Sequence, residues 1–261
     1  MKNIILLYFT LSTLSGNAQI HGDTLQNKTA FPICEEFAGF KSPPETNRFK
    51  EWIIPGAMIA YGFATLHLDP LTDLSEDTED EIWVDDPHHT THIDNYLQFV
   101  PALAVYGLNF AGIHGEHNLL DCTLIYALSN VIMGITVFSL KNITHEQRPD
   151  GSDYYSFPSG HTAEAFASAE FLMQEYKKVS VWYGIGGYAV ASSVAYLRMY
   201  NNKHWLNDVV AGAGFGIVST RLAYLLYPEM KKIFSRTPVP ESMLMPCYQN
   251  NCFGIAFVHV F

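Results

Sequence analysis

Three short runs carry side chains suited to work on an oxyanion. The first is Lys141-Asn-Ile-Thr-His-Glu-Gln-Arg148-Pro149. Two cations seven residues apart on a helix are about two turns apart and point the same way, and Pro149 marks where such a helix ends. The second, Pro158-Ser159-Gly160-His161, follows a turn-rich stretch beginning at Pro149 and opens a helix. A Ser-Gly pair there offers backbone N–H groups and a hydroxyl to a phosphate or another oxyanion. The third is Arg198, then His204, then Asp208. His204 and Asp208 sit one helical turn apart, so the carboxylate can hold one imidazole nitrogen and leave the other facing the site. Singly, each signal is ordinary: a lone cation at an apolar helix end anchors it at an interface, and a lone histidine is a satisfied polar side chain. Together they make three cations, an N–H nest and two imidazoles, one of them backed by a carboxylate. Transfer of a phosphoryl group needs this set. Cations balance charge on the equatorial oxygens, one imidazole attacks, and the other protonates the leaving oxygen.

Apolar segments must position these residues. Trp52–Leu68, Asn95–Ile113, Cys122–Leu140 and Val179–Leu197 contain no Asp, Glu, Lys or Arg, and most have the length that spans a bilayer core as a helix. His161–Tyr176, with Glu164, Glu170 and Glu175, and Val209–Tyr227, interrupted by Arg221, bring the expected helices to six. The three acids of the former should face protein or water. Gly212-x-x-x-Gly216 is spacing for close helix approach; no strand pattern precedes it, so a nucleotide-binding glycine loop does not fit. Asp69–Asp94 holds ten acidic residues, no Lys or Arg, and His88, His89 and His92. It reads as a solvated acidic loop; a divalent-metal site is the rival, but no metal-loop spacing is met. Thr237–Pro246 reads as a proline-bearing linker, and Phe253–Phe261 alternates like a strand.

The chain has 261 residues and a net charge of −11. Charged residues make up 16%, below the roughly one quarter usual in soluble domains. This excludes a disordered chain and a long coiled coil, and the acidic excess argues against nucleic acid as a partner. Lys2, the apolar stretch Ile4–Leu14 and Gly16-Asn17-Ala18 have the layout of a secretory signal with cleavage after Ala18, or of an uncleaved first anchor. Cys247 and Cys252 could close a small disulfide hairpin in an oxidising compartment, Cys122 reads as a packed small hydrophobe, and no zinc-type cysteine pattern exists. The expected organisation is residues 1–18 signal or anchor, 19–51 an N-terminal segment, 52–228 the helical core and 229–261 a C-terminal tail. The positive-inside rule puts Lys28, Lys41, Arg48, Lys50, Lys177, Lys178, Lys231, Lys232 and Arg236 on the cytoplasmic side. Six spans with that orientation conflict with a cleaved signal. The N-terminal segment stays uncleaved, or one helix does not cross, or the helices form a soluble or peripheral periplasmic bundle.

Lys-x6-Arg-Pro, Pro-Ser-Gly-His and Arg-x5-His-x3-Asp, in this order, resemble the type 2 phosphatidic acid phosphatase superfamily, which includes lipid phosphatases, class A acid phosphatases and vanadium haloperoxidases. The similarity runs from about Tyr96 to Pro228 and extends to Bacteroides-type envelope lipid phosphatases such as those acting on lipid A. One departure is Leu197, where the family usually has Ser before the third-motif arginine. The resemblance implies an all-α six-helix bundle, transmembrane, with its site at one end of the helices, followed by a short β-like tail. It implies that His204 is the nucleophile, oriented by Asp208, and that His161 is the general acid. Lys141, Arg148 and Arg198 would bind phosphate with Ser159 and the backbone of Gly160. It implies hydrolysis with no cofactor or metal, a lipid phosphate as substrate, and a place in the inner membrane with the site facing the periplasm. Lys203 would add potential at the mouth or anchor the interface, and His145 would be a bystander. The alternatives are a soluble periplasmic acid phosphatase, a vanadate-dependent haloperoxidase, and a transporter or binding module, for which an oriented nucleophile has no use.

Overall fold

The computed structural model describes residues 4–9, 48–84, 89–235, 242–249 and 252–260. They divide into two units. One holds three strands, β1 (Ile4–Phe9), β2 (Ser242–Gln249) and β3 (Cys252–Val260), forming an antiparallel sheet in the order β1-β3-β2. Its register sets Cys247 opposite Gly254 and Cys252 opposite Gln249, so the two cysteines are not cross-strand partners; their side chains lie outside the described residues. The expected linker at 237–246 ends instead inside β2. The signal or anchor expected over residues 1–18 falls mostly outside the described residues.

The other unit, Thr46–Lys231, is helical. It is built from α1 (Arg48–Thr65), α2 (Asp69–Glu79) with a π-helical extension over Asp80–Val84, α3 (Asp94–Leu97), α4 (Val100–Phe110), α5 (Leu119–Thr144), α6 (Gly160–Tyr176), α7 (Val181–Tyr200) and α8, which runs from Leu206 to Ser235. The described residues thus contain eight α-helices, not six. Both additions have a chemical cause. Pro101 falls within the first two residues of α4, where a ring without N–H is tolerated but could not continue a helix from α3, so the segment expected over Asn95–Ile113 is broken. The acidic stretch expected to be a loop forms α2, opened by Asp69 and Pro70; carboxylates in a first turn complement the helix dipole.

α6 is the centre of the bundle. Its alanines let neighbours approach: Ala165, Phe166 and Ala169 pack with Ala191, Val194 and Ala195 of α7 and with Val209, Ala213 and Ile217 of α8. Its three glutamates face protein. Glu170 takes Arg221 Nε at 2.8 Å and the Tyr188 hydroxyl, Glu175 takes Tyr224 Oη at 2.6 Å and pairs with His117, and Glu164 takes Tyr126 Oη at 2.5 Å. Cys122 is fully buried. Gly212 and Gly216 bring α8 backbone-close to α6. A Cβ on Gly216 would stand 2.2 Å from the Ala163 carbonyl oxygen, and one on Gly212 2.6 Å from that of Ser159. Gly216→Val is therefore expected to prise the helices apart, costing about 3 kcal/mol or more, while Gly186→Ala, with nothing within 4 Å, should be neutral or stabilising by up to about 1 kcal/mol. Thermal midpoints of the two variants in one detergent would check the contrast.

Among the described residues two helices are long and apolar enough to cross a membrane, Leu119–Thr144 and Leu206–Ile233. They differ in kind. Only 22% of the apolar window of α5 is buried, against 61% for α8, so α5 turns Leu120, Leu124, Val131, Ile135 and Phe138 outward while α8 is largely a core helix.

Candidate active site

All three runs end up where α5 and α7 finish and α6 and α8 begin. α5 stops at Thr144 because His145 adopts a left-handed conformation (φ 49°) and its N–H closes on the Lys141 carbonyl, a common way to end a helix. Lys141 therefore lies in the last turn, whereas Arg148 stands beyond the helix in the following loop. The expectation that both ride one helix two turns apart is corrected: the left-handed turn ends α5 before Pro149 is reached. Lys141 Nζ donates to the carbonyls of Tyr155 and Ser156. Arg148 is held by Asp153 through Nε at 2.8 Å and through its own N–H. Lys203 pairs with Asp150 of the same loop, which balances its charge at the mouth.

Ser159 is the N-cap of α6. Buried, it accepts from Thr162 N at 3.5 Å and Thr162 Oγ1 at 2.9 Å, and its N–H donates to the Asp208 carbonyl at 3.0 Å. The first-turn N–H groups of Gly160 and His161 have no intrahelical acceptor. A Cβ on Gly160 would meet only Val137, at 3.9 Å, so packing does not demand glycine there. His161 Nε2 bonds Asn95 Oδ1 at 2.8 Å.

Arg198, buried near the end of α7, donates from Nη1 to Asp94 Oδ2 at 2.7 Å; Asp94 is 1% exposed. Asn201 exchanges two hydrogen bonds with the Thr91 backbone, so the strap 91–95 is tied across this end of the bundle. His204 lies just before α8, 3% exposed, with Nδ1 3.2 Å from Asp208 Oδ2 and 3.4 Å from Ser156 Oγ. With Nδ1 so engaged, Nε2 is the nitrogen left for substrate. Asp208 Oδ2 also takes Trp205 N at 3.0 Å and the Ser156 hydroxyl. Ser75, Thr78 and Glu79 of α2 line a small hollow with His204 and Trp205, so one face of α2 lies beside the imidazole while Asp73, Glu76 and Asp77 stay solvated. Among the described residues no three His, Cys, Asp or Glu gather as metal ligands; His88 lies outside them.

The electrostatics follow from crowding cations around buried imidazoles. Burial, then Arg198, Lys141 and Arg148, hold His204 well below its ordinary range. His161 is pushed down to about 4 by burial and Arg198, with Asp94 opposing and Arg148 and Lys141 adding to the push. Both rings are neutral at pH 7. The structure thus brings Lys141, Arg148, His161, Arg198, His204 and Asp208 within reach of one another's fields. Sequence reading missed Asp94, Asn95, Glu146 and Ser156, which contact this set; no spacing rule marks them.

Residues 119–232 match the model of the PAP2 superfamily. The chain is 41% identical over 135 residues (51% of this chain, 30% of the relative) to the lipid A 1-phosphatase of Porphyromonas gingivalis. It is 34% identical over 87 residues (33% and 38%) to the lipid A 4'-phosphatase of Bacteroides thetaiotaomicron. It therefore spans well under half the length of these curated relatives. Among solved structures, Aquifex aeolicus LpxE is similar at 21% identity and TM-score 0.43, covering 59% of this chain and 94% of that one. A transmembrane PAP2-type phosphatidylglycerolphosphate phosphatase from Bacillus subtilis is similar at 18% identity and TM-score 0.44, covering 70% and 98%.

Proposed function

We propose that the chain, whose residues 119–232 match the PAP2 superfamily model, is a phosphatase of that superfamily that removes a terminal phosphate from a lipid phosphate, of the lipid A class, through a phosphohistidine. One observation carries the reading: a buried, neutral imidazole, His204, is held at Nδ1 by Asp208 amid three cations. Mere anion binding has no use for an oriented nucleophile. Lys141, Arg148 and Arg198, with Ser159 and the Gly160 backbone, take the phosphate oxygens. His204 Nε2 attacks phosphorus, the P–O bond to the leaving alcohol breaks, and His161 gives that oxygen its proton. His161 then takes a proton from water as the water oxygen displaces His204 from phosphorus, which frees phosphate. No cofactor enters these steps.

α5 and α8 span the membrane in this reading, in the bacterial envelope. Lys50, Lys177, Lys178 and Lys231 lie at the end of the bundle away from the site, and the positive-inside rule assigns that end to the cytoplasm. The site then faces the periplasm. The test is incubation of the purified protein with bisphosphorylated lipid A, undecaprenyl pyrophosphate and phosphatidic acid, read by mass spectrometry and phosphate release. Loss of one phosphate from lipid A is expected. Hydrolysis of p-nitrophenyl phosphate with no lipid attacked would favour a soluble-substrate phosphatase instead.

A pH dependence follows. Free His161 is neutral above about 4, so the proton for the leaving oxygen must arrive with the substrate as its phosphate monoanion. With a short-chain lipid phosphate, kcat/KM should be level at pH 5 and fall about tenfold per pH unit above the second phosphate ionisation near ~6. A profile flat from pH 5 to 8 would remove His161 from that role.

A further inference from the structure

The residue that orients the nucleophile has a partner of its own. Glu146 directly follows the left-handed His145 and lies inside the Lys141–Arg148 interval, at a position the motif leaves open. Its backbone carbonyl accepts from Ser156 N at 3.0 Å, and its Oε1 accepts from Asn207 Nδ2 at 3.0 Å. Its carboxyl also stands in hydrogen-bonding contact with that of Asp208. On Asp208, Oδ2 is crowded with donors: Ser156 Oγ, Trp205 N and His204 Nδ1. Its other oxygen, Oδ1, and Glu146 Oε2 are both buried, and neither has a donor among the described residues.

A carboxylate only accepts hydrogen bonds. Two ionised carboxylates in buried contact would leave both oxygens unsatisfied and set like charges together. One proton between them removes both faults. Asp208, with three donors on Oδ2, is the better place for the charge; Glu146, with one amide donor, is the better place for the proton.

We infer that Glu146 is a positioning residue which keeps its proton and donates it to Asp208 Oδ1, fixing the carboxylate that orients His204. The inference rests on the phosphatase reading for its kinetic consequences. The surroundings agree: burial and then the Asp208 charge push Glu146 up to about 8, against the Asn207 amide and Lys141. The groups facing the pair are Lys141 from α5, Ser156 from the loop, His204, and Trp205 and Asn207 beside Asp208. Loss of the shared proton puts two anions in contact and pushes Asp208 off His204 Nδ1, so kcat falls on the alkaline side.

Glu146→Gln tests this, because an amide can donate to Asp208 Oδ1 while its oxygen still accepts from Asn207. The Gln variant should keep kcat within about 3-fold of the parent at pH 6 and lose the added fall near pH 8, keeping only the decline that the substrate's own ionisation imposes. Glu146→Ala should lose about 10–100-fold in kcat with KM little changed, the scale of a missing supporting contact. An unchanged alkaline limb in the Gln variant would overturn the inference. So would a Gln variant with parental thermal midpoint that is as slow as the Ala variant. Infrared difference spectra between pH 6 and pH 9 give a readout independent of turnover. A protonated-carboxyl carbonyl band in the parent, absent from Glu146→Gln, supports the shared proton even if no lipid is hydrolysed, in which case the phosphatase reading alone fails. No such band in the parent sinks the inference whatever the activity.

Discussion

Replacing His204 with alanine is expected to lower turnover of a lipid phosphate by about 10⁴-fold or more, the scale on which a nucleophile working as part of a unit is missed. The size follows from its setting. The ring is buried, locked through Nδ1 onto Asp208, and kept neutral by burial and by the Arg198, Lys141 and Arg148 charges. His117 is also held at Nδ1 by a buried carboxylate, but that of Glu175 at the far end of α6, and His161 sits at the start of α6 with Nε2 on Asn95. The cations stay in place, so inorganic phosphate, which needs no bond to the ring, should still bind the variant within a few-fold, whereas vanadate, a mimic of the transferring group with His204 as its apical ligand, should bind much more weakly. Loss of turnover, retained phosphate binding, weakened vanadate binding and loss of an acid-labile phosphoprotein in rapid-quench samples form the expected pattern. Near-parental turnover would end the phosphohistidine route.

His161→Ala is expected to show a loss that depends on what leaves. An alkoxide is a poor leaving group and needs a proton, so a lipid alkyl phosphate should be cleaved about 10²–10⁴-fold more slowly. A nitrophenolate departs without one, and p-nitrophenyl phosphate should lose only about 10-fold or less. Equal losses on both substrates would mean that His161 holds phosphate instead of donating a proton. Its Nε2 is engaged by Asn95 at 2.8 Å, so in the proposed mechanism the ring exchanges an amide oxygen for the leaving oxygen.

The core helices were legible because lipid-like apolar runs and small-residue spacing are local signals. Gly212 and Gly216 read as packing residues, and their contacts on Ser159 and Ala163 are backbone-close. The failures have local or long-range causes. α2 was hidden because composition alone marks acidic residues as loop, although Asp69 and Pro70 begin a helix well. The break between α3 and α4 turned on one proline, Pro101. Arg148 was misplaced onto a helix because nothing in the type of His145 announces a left-handed turn. Asp94 and Asn95 were beyond reach in a different way. They meet Arg198 and His161 across 104 and 66 residues, and no spacing pattern extends so far. Ser156 lies between motifs and Glu146 at an open position within the first, both silent until the chain folds them against Asp208.

The hydrogen bond from the Ser159 N–H to the Asp208 carbonyl, 3.0 Å long, fastens the origin of α6 to that of α8. His161 stands on the first turn of α6 and His204 just before α8, so this bond joins the roots of the two imidazoles and opposes their separation. If the proposed phosphatase admits a large headgroup, the strap 91–95 and the face of α2 beside His204 are the surfaces left to yield to it and to tell one headgroup from another.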